Sequence, residues 1–183
     1  MGTDVRVRYT NKVIKEALIA LLREKPLRSI TVREICELAG VNRTTFYKHF
    51  RDIYDVFEQV EEDAAQGLVD LIDQYYGRNS QDVLLLILRS IRDHREEFAP
   101  MLQREEGQNL LYRMAMAAYR KLRERAAADG AAGRFPASAL HFGYYAGGIG
   151  GVLGYWVRNG MKESPEEIAQ EIRSLSAPLW KDI

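Results

Sequence analysis

Two helix starts eleven residues apart, with a glycine between them, constrain this 183-residue chain more than any other feature. The stretch reads Ile-Thr-Val-Arg-Glu-Ile-Cys-Glu-Leu-Ala-Gly-Val-Asn-Arg-Thr-Thr-Phe-Tyr-Lys-His-Phe over residues 30–50. Thr31 and Glu34 have the spacing of a capping box, in which each side chain satisfies a backbone N–H of the other, and Ile30 with Ile35 forms a hydrophobic staple. Asn42 is the next N-cap, and Val41 with Phe46 repeats the staple. Gly40, in the turn Ala39-Gly40-Val41, supplies the left-handed conformation that ends a helix. The pattern predicts short helices over about 31–39 and 43–50, joined as a helix-turn-helix.

The remainder of the chain also reads as helix, because apolar residues recur at three-and-four spacing and few stretches alternate with period two. Ile14, Leu18, Leu21 and Leu22 mark a first helix ending before Pro26, and Ile53 to Tyr75 a long amphipathic one that stops at Gly77-Arg78-Asn79-Ser80. Val83–Ile91, Phe98–Leu102 and Leu110–Leu122 give three further segments, with a loop over Ala126–Pro136. Two last helices are expected over about 137–159 and from Ser164 towards Trp180, the latter capped by Ser164 with Pro165 at its first position. The expected fold is all-α: a three-helix N-terminal domain over 1–54 and a helical bundle over 55–183.

Twenty-six basic and twenty-six acidic residues cancel over the whole chain but not within it. Residues 1–54 carry eleven Lys/Arg against six Asp/Glu, a surplus of five positive charges. Residues 55–183 carry fifteen against twenty, a matching negative surplus. A basic head on an acidic body suits a protein that presents one end to a polyanion.

The second helix of the pair is the expected reader of that polyanion. At about 100° per residue, Phe46 and Phe50 share one side and anchor the helix in a core. Thr44, Thr45 and Lys48 then face outward, flanked by Tyr47 and His49. Hydroxyls, threonine methyls and one ammonium suit the base edges of a DNA major groove. Tyr47 and His49 are placed for phosphate oxygens, and Thr31 stands at a helix N-terminus, where free amides also bind phosphate. An ordinary amphipathic surface helix is the bland alternative; the turn, both caps and the charge asymmetry together argue against it.

The run from Ile30 through Phe50, continued by Arg-Asp-Ile-Tyr-Asp-Val over 51–56, resembles the DNA-binding domain of the TetR family of transcriptional regulators. Thr-Phe-Tyr-x-His-Phe is the most specific part, and the resemblance covers residues 10–57. The tail from Tyr155 to Pro165 looks like a subgroup that includes dihydroxyacetone kinase regulators. The resemblance implies a homodimer, usually a repressor, that contacts double-stranded operator DNA through Thr31, Thr44, Thr45, Tyr47, Lys48 and His49, with Arg43 beside them. Arg6 and Arg8 are read as a flexible arm ahead of the first helix, reaching phosphates or the minor groove, or else as a solubilising tail.

The acidic body is expected to hold the regulatory and dimerisation surfaces. Phe98, Met101, Tyr112, Met116, Tyr144 and Tyr145 supply adaptable and aromatic surface for a small, partly apolar effector, or simply core. Gly143, Gly147, Gly151 and Gly154 recur on one helix and allow another backbone to approach closely, either across a two-fold axis or within one subunit. The alternative for the body is a surface that binds a protein partner.

Other classes find little support in the residues. The segment 137–157 is long enough to test as a membrane span, but six glycines make it a poor anchor. Gly148-x-Gly150 lacks the third glycine and the preceding strand of a dinucleotide site. His94 and His141 have no second ligand at i+3 or i+4, so no metal and no cofactor are expected. Cys36 sits where Ile35 and Leu38 mark a buried face, a core position rather than a nucleophile, and no other catalytic arrangement stands out, so no enzyme is expected. One cysteine and no export signal fit a cytoplasmic protein.

Overall fold

The computed structural model describes residues 2–75, 83–96, 99, 106–130 and 138–176, and every regular element among them is helical. In chain order these are α1 (Gly2–Glu24), a short 3-10 turn (Leu27–Ser29), α2 (Val32–Ala39), α3 (Arg43–His49), α4 (Ile53–Tyr75), α5 (Val83–Asp93), α6 (Glu106–Ala128), α7 (Ala139–Arg158) and α8 (Pro165–Ser176). The all-α expectation holds. Backbone contacts divide the chain into two compact units, residues 1–63 and 64–183.

In the first unit α1 packs on α2 and α3. Ile14 and Leu18 of α1 are fully buried, as are Ile35 of α2, Phe46 of α3 and Val56 of α4. The α2 start has the predicted capping box: the Thr31 hydroxyl accepts the Glu34 amide at 3.3 Å, and Glu34 Oε2 accepts the Thr31 amide at 2.9 Å. Gly40 then turns left-handed at φ 66°, and the Val41 amide reaches back to the Cys36 carbonyl at 3.0 Å. That is the six-to-one bond of a Schellman end, and it lets α3 start two residues later.

Two details of the head differ from the sequence reading. Leu38 is 56% exposed, so the buried side of α2 is set by Ile35 and Cys36 alone. Helix α1 also starts far earlier than its apolar stripe: Arg6 and Arg8 lie within it, so they are exposed helical residues and not a flexible arm. The stripe begins only where the helix meets its partners, so periodicity of burial cannot register the exposed turns ahead of Ile14.

In the second unit α6 packs along α7, α5 packs against α8, and α7 also meets α8. The Tyr119 ring stacks on Phe142 at 3.7 Å, beside the fully buried Ala146. Trp156 is completely buried, and its indole N–H donates to the Glu163 carbonyl at 2.9 Å. Asp73 of α4 is clamped by Lys121 at 2.6 Å and by Arg125, both on α6. Ser164 caps α8 as expected, with Glu167 completing a second capping box. Helix α6 runs to Ala128, so the loop expected from Ala126 starts later, at the turn Asp129-Gly130. Of the helix expected over 98–102 only residue 99 is described, and it is helical; the end of the last helix near Trp180 lies outside the described residues.

Candidate nucleic-acid interface and body cavity

Helix α3 is a short rod fixed by its inner face. Phe46 and Phe50 are buried with ring centroids 5.9 Å apart, and Tyr47 meets the edge of Phe46 at 5.4 Å. The outer face therefore has one orientation relative to the head. Tyr47 is 59% exposed, Arg43, Thr44 and Lys48 are exposed, and Thr45 and His49 are half-buried on the flanks. Asn42 caps the helix, its side-chain oxygen accepting the Thr45 amide at 2.7 Å.

Ion pairs sort the positive charges of the head. Lys12 pairs with Glu16, Lys15 with Asp63, Lys25 with Glu34, Arg33 with Glu37 and Arg51 with Asp55. Among the described residues Arg43 and Lys48, on the reading helix, pair with no carboxylate. Arg43 and Lys48 thus leave positive charge uncompensated where α3 faces outward, as Arg6, Arg23 and Arg28 do elsewhere on the head.

Thr31 is more heavily engaged than a phosphate ligand needs to be. Its hydroxyl also donates to Glu34 Oε2 at 2.8 Å, and Lys25 holds the other oxygen of that carboxylate. Hydrogen bonds from Lys25 and Thr31 lower the Glu34 carboxyl from its ordinary 4.5 to about 2. A fixed negative charge thus sits at the α2 N-terminus, where the bare amides would otherwise favour an anion. The pair joins residues nine apart across the 3-10 turn, a relationship that local spacing did not reveal.

The body holds a partly open apolar cavity of about 140 Å³, lined from α4, α5, α6 and α7 by residues that include Leu68, Leu88, Leu111, Met114 and Tyr145. Of the candidates named from sequence, Tyr145 lines it. Tyr144 shares with Tyr145 a neighbouring groove bounded by Ile172 and Leu175 of α8. Met116 instead packs against the Tyr119–Phe142 cluster, Tyr112 is 45% exposed away from the cavity, and Phe98 and Met101 lie outside the described residues. Sequence reasoning favoured aromatic and methionine side chains and passed over the aliphatic wall. The unbroken apolar run Leu84 to Leu88 on α5 was the available signal.

The glycines of α7 divide between two faces. A side chain at Gly150 would meet Leu111 Cβ at 3.8 Å, and one at Gly154 would meet Leu111 Cδ1 at 3.5 Å and Arg158 Nη1 at 2.9 Å. Gly154 therefore faces Leu111 of α6 within the chain, in keeping with the within-subunit reading of the stripe at that position. Gly143, Gly147 and Gly151 have open space where a Cβ would stand. Tyr144 at 72% exposure and Tyr155 at 62% stand on the same helix. Among the described residues no helix is long and apolar enough to cross a membrane.

A helix-turn-helix with a buried anchor and a polar outer face, followed by a helical body, defines a DNA-binding transcriptional regulator. The chain belongs to the TetR family of bacterial regulators: the family described as bacterial regulatory proteins, tetR family, matches residues 14–60, and the family described as transcriptional regulator C-terminal region matches 78–177. It is 31% identical over 98 residues to the uncharacterized regulator YxbF of Bacillus subtilis, a match covering 50% of this chain and 26% of that protein. It is 29% identical over 85 residues to the dhaKLM operon transcriptional activator DhaS of Lactococcus lactis, covering 46% and 44% respectively. The chain thus spans less than half the length of either curated relative. A TetR transcriptional regulator from Streptococcus agalactiae has the same fold, with a TM-score of 0.71 at 20% identity, covering 96% of this chain and 97% of that one. The family's members are regulators rather than enzymes.

Proposed function

We propose that the chain acts in the cytoplasm as a homodimeric repressor that reads a near-palindromic operator through α3 and is released by a small-molecule effector held in the body. Residues 1–54 form the DNA-binding part, and residues 55–183 the effector-binding and dimerisation part. The observation that carries the reading is α3 itself: Phe46 is fully buried while Tyr47 and Lys48, the next residues, stand outward beside an unpaired Arg43. Thr44, Thr45 and Lys48 read base edges, and Tyr47, His49 and Arg43 fix the register on phosphates. Arg6 and Arg8 add phosphate contacts from the exposed first turns of α1, and Thr31 meets the DNA backbone only where its hydroxyl leaves the Glu34 carboxylate.

Two copies present two reading helices about 34 Å apart, one turn of DNA, which is why the operator is a near-palindrome. The exposed face of α7, with Gly143, Gly147 and Gly151 open beside Tyr144, supports pairing with a second copy. A Gly147→Leu chain that remains a folded dimer in sedimentation would count against that interface. The apolar cavity, recessed among four helices, favours a ligand over a protein partner for the body. The name of DhaS, an activator, keeps activation as the second reading of the regulatory sign.

The test is binding to DNA upstream of the chain's own gene at two salt concentrations, beside Lys48→Ala and Tyr47→Ala. Specific binding that weakens with salt and collapses in both variants supports the assignment. Specific binding untouched by either substitution would overturn it.

A further inference from the structure

We infer that the body cavity takes an uncharged, largely apolar molecule about the size of one aromatic ring, and that it rejects carboxylates, phosphates and polyols. The inference rests on the reading of this cavity as the effector site and narrows the chemistry of what enters it.

Lining chemistry is the first argument. Every described side chain of the wall is leucine, isoleucine, alanine or methionine except Tyr119 and Tyr145. No described lining residue carries a charge, so an anion that enters leaves water with no cation to meet it. A polyol fares little better, because each buried hydroxyl needs a partner and the wall offers two phenolic groups at most. Tyr119 is also committed to its stack on Phe142.

Volume is the second argument. The cavity measures about 140 Å³. An engineered apolar cavity of about 150 Å³ in another protein stays dry and binds benzene. A void of this size lined almost wholly by hydrocarbon gives a water few hydrogen-bond partners, so an apolar guest displaces little ordered solvent. The wall is also close-fitting on one side. Gly150 and Gly154 let α7 approach Leu111 of α6, and Ile149 and Leu153 on the same helix line the cavity.

The test uses the full chain with four probes, toluene, phenol, benzoate and glycerol, followed by calorimetry and thermal melting. Operator release is read in the same samples. Toluene and phenol are expected to raise the melting temperature by about 3 °C at a tenfold excess over Kd, and benzoate and glycerol to leave it unchanged. Ala118→Leu, which pushes a larger side chain into the lining, should weaken toluene at least tenfold. Ile149→Phe fills the cavity from the α7 side and should weaken toluene to a similar degree, so the test stands even if Ala118→Leu fails to fold. Benzoate or glycerol binding more tightly than toluene, and lost on filling the cavity, would overturn the ligand class while leaving the effector site standing. Toluene binding that ignores Ala118→Leu in a folded protein would place the guest elsewhere and overturn the inference. Binding of none of the four would remove the effector reading of the cavity along with it.

Discussion

The Asn42 side-chain oxygen accepts the Thr45 backbone N–H at 2.7 Å, so the residue that starts the reading helix is tied directly to one of those proposed to face DNA. Among N-capping residues, asparagine, aspartate and serine do this best, because a short side chain reaches an amide that has no partner within the helix. Asn42→Ala should cost about 1 kcal/mol of stability in urea unfolding, and Asn42→Asp should retain most of it. Equal stability in the alanine variant would show that the cap contributes nothing.

Gly40 ends α2 at φ 66° and has nothing within 4 Å of where a Cβ would stand. A substitution there pays only for the left-handed backbone. Gly40→Ala is expected to destabilise the chain by about 1–2 kcal/mol, and Gly40→Asn by less, since asparagine tolerates that region. A neutral Gly40→Ala would mean that the turn relaxes to another conformation.

The Glu34 carboxyl, lowered to about 2 by hydrogen bonds from Lys25 and Thr31, sets a pH dependence of known sign. Its folded value lies below its ordinary 4.5, so the unfolded chain binds the proton first as pH falls. The stabilisation is complete above about pH 4.5 and is lost as pH falls towards 2. Glu34→Gln should therefore flatten the urea midpoint between about pH 5, above the titration, and about pH 2.5, well within it, relative to the parent chain. Parallel curves for the two proteins would show that the carboxylate is not selectively held.

Gly67 lies in the interior of α4, exposed and with open space at its Cβ. Exchange for alanine removes unfolded-state freedom without a clash, and Gly67→Ala should stabilise the chain by about 1 kcal/mol. The same exchange at Gly154 should gain less, because Leu111 and Arg158 stand in the way. Thermal melts of both variants check the contrast, and an equal gain would refute the packing role given to Gly154.

What the sequence disclosed follows the range of each interaction. Capping boxes, the glycine turn and the anchors Phe46 and Phe50 are determined within four residues, so the head could be read almost entirely before its structure. Leu38 misled because a lone leucine on a short helix carries no information about whether a neighbour covers it. The Lys25–Glu34 pair and the clamp of Asp73 by Lys121 and Arg125 join different helices, and no local pattern announces them. In the body the cavity is a property of how α4 to α7 fail to fill space. Tyr145 was named from sequence, but Leu68, Leu88 and Leu111 look in isolation like any core leucine. The glycines of α7 were visible as a stripe, yet which of them face α6 depends on the neighbouring helix.

Cys36 is the sole cysteine of the chain, 6% exposed on α2, and burial pushes its thiol up from the ordinary value. A thiol reagent meets it only when α2 lifts from the core, since the reactive form is the exposed thiolate. The rate at which the untouched protein is alkylated is therefore a built-in clock for opening of the reading head. Slowing of that clock on operator DNA would measure, with no engineered label, how firmly the head is held shut while it is bound.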